Sequence, residues 1–151
     1  MKFIKTLYNK LFLINDTPQK IAIGFGLGVF SGIIPGTGPI AALTLALIFK
    51  VNRASALIGS LLTNTWFSIV TFLLSIKLGS AMVGLDWHIV KEGWMAFINH
   101  PNWPDLLKIP VLRLILPAVI GYFIIALGSG ILAYLISLLA LKIKGRFNKH
   151  P

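Results

Sequence analysis

No cysteine occurs anywhere in the 151 residues. A disulfide framework, a thiolate nucleophile and a cysteine-type zinc site are therefore excluded. Acid is almost as scarce: Asp16, Asp86, Glu92 and Asp105 stand against 14 Lys and Arg, giving a formal net charge of +10. Charged residues of both signs make up only 12% of the chain, about half the ~25% usual in a soluble domain. Three long stretches, 21–49, 54–76 and 114–141, hold no Asp, Glu, Lys, Arg or His. Carriers coupled to protons or sodium generally rely on an intramembrane carboxylate or histidine, so that mechanism has no residues to run on here.

Recognisable catalytic constellations are missing too. No Ser-His-Asp arrangement or phosphate-binding loop stands out. His88 and Glu92 are spaced i, i+4, with His100 and Asp105 following, but they match no metal-binding motif and read as surface residues. The expectation is a non-enzyme with no catalytic residues, no metal and no cofactor. The apolar run Leu11–Ile14 is too short for a cleaved signal, and no small-residue cleavage site follows it. The length allows three or four hydrophobic elements and no separate catalytic domain.

What the chain does have is apolar surface: 56% of its residues are hydrophobic and its mean hydropathy is +0.85. These values point to an all-α integral membrane protein, a single membrane domain over 1–151. The basic residues flank the apolar runs instead of interleaving with aromatics on a polar face. Anionic membrane lipids are thus the expected partner, at about 1 kcal/mol per cation near the surface, and nucleic acid is not.

Residues 2–14 place Phe3, Leu7, Leu11 and Ile14 on one helical stripe with Lys2, Lys5 and Asn9 opposite. This predicts a basic amphipathic helix in the N-terminal segment 1–16, lying on a membrane surface or simply tethering the terminus. Asp16 or Thr17 then caps a helix that has Pro18 at its first position. An apolar stretch over Ile21–Ile34 follows, then Pro35-Gly-Thr-Gly-Pro39, then Ile40–Phe49. The two stretches reach roughly 21 and 15 Å at ~1.5 Å per residue, each short of a hydrocarbon core of about 30 Å. The run either crosses once as a kinked helix or turns at the Pro-Gly break and exits where it began. Ala54–Ile76 and Leu114–Leu141 read as two transmembrane helices. Between them, 77–113 is expected to be an extracytoplasmic loop. Its Trp87, Val90, Trp94 and Ile98 fall at helical spacing, fitting either an interfacial helix or a lid on the transmembrane core. Residues 142–151 form a basic tail.

The cations favour the turning path. If 21–49 is a re-entrant hairpin, then Lys2, Lys5, Lys10, Lys20, Lys50, Arg53, Lys142, Lys144, Arg146 and Lys149 all share one side. The loop on the other side keeps three of the four acids. That asymmetry follows the positive-inside bias, with both termini cytoplasmic. A helix broken within a membrane leaves amides and carbonyls that need protein or water beside them. Pro35, Gly36, Thr37, Gly38 and Pro39 are therefore candidate substrate-binding residues, with a plain structural turn as the other reading. Asn64, costly in lipid, either caps that break or touches substrate. Lys50 and Arg53, joined by Lys20, would attract an anionic head at the cytoplasmic mouth, as Arg113 would on the other side. Gly24, Gly28 and Gly32 recur every four residues and form a helix-packing face.

Thr17-Pro18, Ile21-Ala-Ile-Gly-Phe25, Gly28-Val-Phe30, Gly32, Pro35-Gly36, Lys50-Val-Asn-Arg53, Gly59, Asn64 and Leu78-Gly79 together resemble the bacterial inner-membrane family catalogued as domain of unknown function 2062. The likeness is densest over 17–80. One departure is Thr65, where the family more often carries proline after the asparagine. The resemblance implies a bacterial inner-membrane protein without an established activity. Similar domains fused to glycosyltransferases of the polyprenyl-phosphate type imply a link to enzymes of that pathway. The expected function is thus handling or transport of an anionic lipid or phosphate-bearing substrate, polyprenyl-phosphate-linked substrates included, by a homo-oligomer or a larger membrane complex. The alternative is a non-transporting membrane scaffold.

Overall fold

A computed structural model describes residues 16–36, 38–63, 68–101 and 109–147. The amphipathic helix expected over 2–14, together with Thr37 and Asn64, lies outside the described residues. All regular structure among the described residues is helical: α1 Pro18–Ile33, α2 Gly38–Ile48, α3 Arg53–Thr63, α4 Ser68–Val83, α5 Trp87–Asn99 and α6 Ile109–Phe147. The chain divides into two compact units, residues 1–66 with 126–151, and residues 67–125.

In the first unit α1 begins as its sequence dictates. Thr17 accepts a hydrogen bond from the Lys20 amide at 3.4 Å, and Pro18 occupies the first turn, where its missing N–H costs nothing. The helix stops at Ile33, and Ile34 is extended (φ −74°, ψ 119°), the conformation favoured before a proline. After the break α2 runs back along α1, because the amide of Asn52, just beyond α2, donates to the carbonyl of Lys20 near the start of α1 (3.3 Å).

Helix α3 then packs parallel to α1. A Cβ built on Gly24 would collide with the Asn52 carbonyl and Ser55 Oγ, one on Gly28 with the Ala56 carbonyl, and one on Gly32 with Thr63 Oγ1 and the Ser60 carbonyl. From the opposite side, a Cβ on Gly59 would meet the Phe25 carbonyl. The backbones approach closely because neither surface carries bulk. Hydroxyls on this seam are satisfied within their own helices: Ser31 donates to the Leu27 and Gly28 carbonyls, Ser60 to Leu57, and Thr63 to Gly59 and Ser60. Ala42, Ala46 and Ala56 close the small core between α2 and α3, with Val51 against them.

The second unit holds α4, α5 and the first part of α6. Gly79 lies against the Pro117 carbonyl and Gly121 against the Ser75 carbonyl, so α4 and α6 run antiparallel at another close crossing. Helix α5 is capped by Asp86, whose Oδ1 accepts from the His88 amide at 2.9 Å. Its Val90 is buried with Ile76 and Ala118. Trp94 donates from Nε1 to the Leu114 carbonyl (3.0 Å) and meets Phe72 edge-on with ring centroids 5.7 Å apart.

Several expected boundaries move. Within the span expected over 54–76 the described residues are helical up to Thr63 and again from Ser68, in α3 and α4. The loop expected over 77–113 is shorter: α4 continues to Val83, where Gly84 (φ +73°) ends it. Helix α6 begins at Ile109, carries Pro117 inside it, and extends through Phe147, so the first part of the tail is helical; lysine and arginine are good helix formers. The tryptophan stripe is split as well. Val90 and Trp94 pack inward, while Ile98 is 57% exposed and Trp87 sits under the Lys91 ammonium, 5.6 Å from its ring.

Among the described residues one helical segment, Arg113–Ile143, is long and apolar enough to cross a membrane. Its 31 residues reach roughly 46 Å. Two shorter apolar helices, Gly38–Ile48 and Val70–Val83, are also present.

The glycine seam yields a paired expectation. Gly28→Ala pushes a methyl into the Ala56 carbonyl and costs about 1–3 kcal/mol, whereas Gly128→Ala enters open space and is neutral or slightly stabilising through helix propensity. Thermal unfolding of the two variants in the same detergent checks the contrast.

Candidate functional site

The candidate residues fall at the two ends of the α1–α2 hairpin. At one end lies the break. Gly36 is exposed in a left-handed conformation (φ +82°), and a Cβ there would meet nothing within 4 Å. Gly38 (φ +29°) is buried at the start of α2, Pro39 is half-buried and Pro35 exposed. A shallow hollow of about 370 Å³ beside it is lined by Gly36, Ile40, Ala41, Thr44 and Leu45. Thr44 spends its hydroxyl hydrogen on the Ile40 carbonyl at 2.9 Å. Among the described residues no charged one lines the hollow.

The other end is the Lys50–Arg53 turn. Helix α2 closes in a complete Schellman arrangement: the Lys50 amide donates to Leu47 (3.2 Å) and the Val51 amide to Ala46 (3.0 Å). Val51 supplies the apolar contact that accompanies such an ending. The residue that must be left-handed here is Lys50, at φ +53°, a position that normally favours glycine. Its side chain is exposed, as is that of Arg53 at the first residue of α3.

Asn52 ties this turn to the start of α1. It is 5% exposed. Its Oδ1 accepts the Ser55 amide (2.8 Å), capping α3, and its Nδ2 donates to Asp16 Oδ2 (2.9 Å). Asp16 also lies 4.0 Å from Lys20 Nζ. Asp16 is the only acid in the sequence of this unit, and it is held by a neutral donor on one side and a cation on the other. No ion pair among the described residues engages Lys50, Arg53 or Lys142.

The structure thus brings Lys20, Lys50 and Arg53 to one end and Pro35, Gly36, Gly38 and Pro39 to the other, with the 11 residues of α2 between them, about 16 Å. Gly24, Gly28 and Gly32 lie on the α3 seam. Arg113 belongs to the other unit, on the rim of an apolar hollow of about 520 Å³ with Asp86, Gly93 and Leu114. His88 stacks on Trp87 with ring centroids 3.9 Å apart. Among the described residues no group of three His, Cys, Asp or Glu could hold a metal. Asn52 is the residue that sequence reading passed over. Its signal is local: an asparagine directly before a run of good helix formers is a helix N-cap.

A profile of the family described as "Uncharacterized protein conserved in bacteria (DUF2062)" matches residues 1–149. The chain belongs to that family. No curated protein and no solved structure matches the chain. In this DUF2062 chain each member of the Lys50-Val-Asn-Arg53 turn now has a stated place: a left-handed cation, an apolar plug, a buried cap and an exposed cation.

Asn52→Ala removes the α3 cap and strips Asp16 of its neutral partner, so it should cost about 2 kcal/mol. Asn52→Asp keeps the cap but sets two carboxylates side by side and should be at least as damaging at neutral pH. Thermal unfolding of the two variants beside the parent chain checks both.

Proposed function

We propose that this DUF2062 chain is an inner-membrane protein that holds the phosphate-bearing head of an anionic lipid at the Lys50–Arg53 turn. In this reading the α1–α2 hairpin is re-entrant: it turns at Pro35–Pro39 and returns Lys50 to the cytoplasmic face beside Lys20. The single observation that carries the reading is Lys50. A lysine in the left-handed conformation costs about 1–2 kcal/mol relative to glycine, and such strain persists where something other than stability requires the residue. Its ammonium is exposed, and no ion pair among the described residues engages it. Arg53 adds a planar guanidinium suited to phosphate oxygens. The exposed backbone at Gly36 supports a second polar station at the hairpin tip, consistent with handling or transport of the lipid rather than mere adhesion.

A scaffold reading draws on a different observation, the exposed apolar residues of α6, with Leu116, Val119 and Phe123 on one side of the helix and Ile136 and Leu139 on the other. Membrane lipid accounts for the same exposed residues equally well.

Two measurements test the proposal. Lys50→Gly should stabilise the protein by about 1 kcal/mol while weakening its retention of phosphatidic acid over phosphatidylcholine in native mass spectrometry. Lys50→Glu combined with Arg53→Glu should reduce that retention at least about tenfold. Unchanged retention in both variants would remove the lipid-head reading and favour a scaffold. Topology is read with single cysteines in this cysteine-free chain. Lys50→Cys and Lys142→Cys should be shielded from an impermeant thiol reagent in intact cells while Asn99→Cys labels. Labelling of Lys50→Cys from outside would rule out the re-entrant path.

A further inference from the structure

A second groove in the first unit is larger than the hollow at the break and better placed relative to the cations. It has a volume of about 450 Å³ and is lined by α1 (Ile23, Gly26, Leu27, Phe30), α2 (Leu45, Phe49) and α6 (Leu127, Gly130, Ile131, Tyr134). Its described lining residues are apolar apart from Tyr134. One end is fixed by Phe49 and Ile23. Phe49 immediately precedes Lys50, and Ile23 lies one turn beyond Lys20. Helices α1 and α6 run antiparallel along it: Gly26 faces Gly130 and Tyr134, while Phe30 faces Gly130. The α6 direction therefore carries Lys142 towards the same cationic end, and Lys142 is exposed. The groove exists because Gly26 and Gly130 are bare where the two helices touch. A side chain on either would strike the other helix.

We propose that this groove seats one acyl chain of an anionic phospholipid whose phosphate lies against Lys20, Lys50 and Lys142. The proposal rests on the lipid-head reading above and adds the place and size of the chain. A volume of about 450 Å³ accommodates roughly fifteen methylene-sized groups, taking each as about the ~30 Å³ that a water molecule occupies in the liquid. That is the size of one membrane acyl chain. Charge complementarity selects the occupant: cations stand at one end, and Asp16, the only acid in the sequence of the unit, is already tied to Asn52 and Lys20.

The test uses purified full-length protein in nanodiscs and phosphatidic acid carrying a mid-chain diazirine. Peptide mapping after illumination should place the label on Phe30, Leu45, Leu127 or Ile131. Leu127 and Ile131 are 46% and 51% exposed, so Leu127→Trp with Ile131→Trp fills the groove without invading the core. That pair should cut labelling at least about tenfold, since excluding two methylenes already suffices for that. Gly128→Trp, on the same helix in open space, controls for fold and should label normally. Label lost in Lys50→Glu/Arg53→Glu but mapped outside the groove would sink the groove and leave the lipid-head reading standing. Labelling indifferent to both sets of variants would sink both. Equal labelling by a phosphatidylcholine probe, preferential labelling by an isoprenoid phosphate, or a crosslink joining two copies of the chain through Leu127 would each overturn the assignment of occupant.

Discussion

Helices α1 and α3 lie so close that no side chain fits between Gly24 and Ser55 or between Gly28 and Ala56, and much of the first unit follows from that approach. Two parallel helices joined by a short chain need a return segment between them. Helix α2 is that segment, and its length is set by the distance back along α1. The turn at 50–53 must then reverse the chain tightly beside Lys20. This is why α2 ends in a left-handed residue and why α3 starts on a cap that reaches back to Asp16. A side chain anywhere on the glycine seam would separate the helices and pull this turn away from the start of α1.

Small polar residues make the seam tolerable in an apolar setting. Ser31, Ser60 and Thr63 donate to carbonyls of their own helices. The second unit repeats the device with Gly79, Gly121 and Pro117, and Trp94 ties α5 to α6 through the Leu114 carbonyl. At the α1–α3 and α4–α6 crossings backbone proximity and dispersion, rather than bulky side chains, hold the helices together. Many large apolar side chains point outwards instead, the arrangement expected where the solvent is itself apolar.

The candidate site differs in kind from the seam. The seam is built from residues that suit their positions, whereas Lys50 does not suit its own. A glycine would complete the same Schellman ending without strain, and an acid nearby would neutralise a charge that the described structure leaves open. Local conflict of this sort is where function is to be sought in a chain that is otherwise consistent from level to level.

The sequence by itself determined the features that depend on neighbours along the chain. Thr17 and Pro18 start α1, Pro35 ends it, and the four-residue spacing of Gly24, Gly28 and Gly32 puts them on one face. The segregation of cations from apolar runs was equally legible, as was the lack of ionisable groups in the apolar stretches. What only the tertiary structure decided depends on partners distant in sequence. The glycine face could have met another subunit as easily as α3, because spacing defines a surface and not its neighbour. The inward packing of Val90 and Trp94 but not Ile98 follows from contacts that no local pattern encodes. Asn52 combines both cases: its cap on Ser55 is local and readable, but its bond to Asp16, 36 residues away, exists only because a close helix crossing brings the turn home.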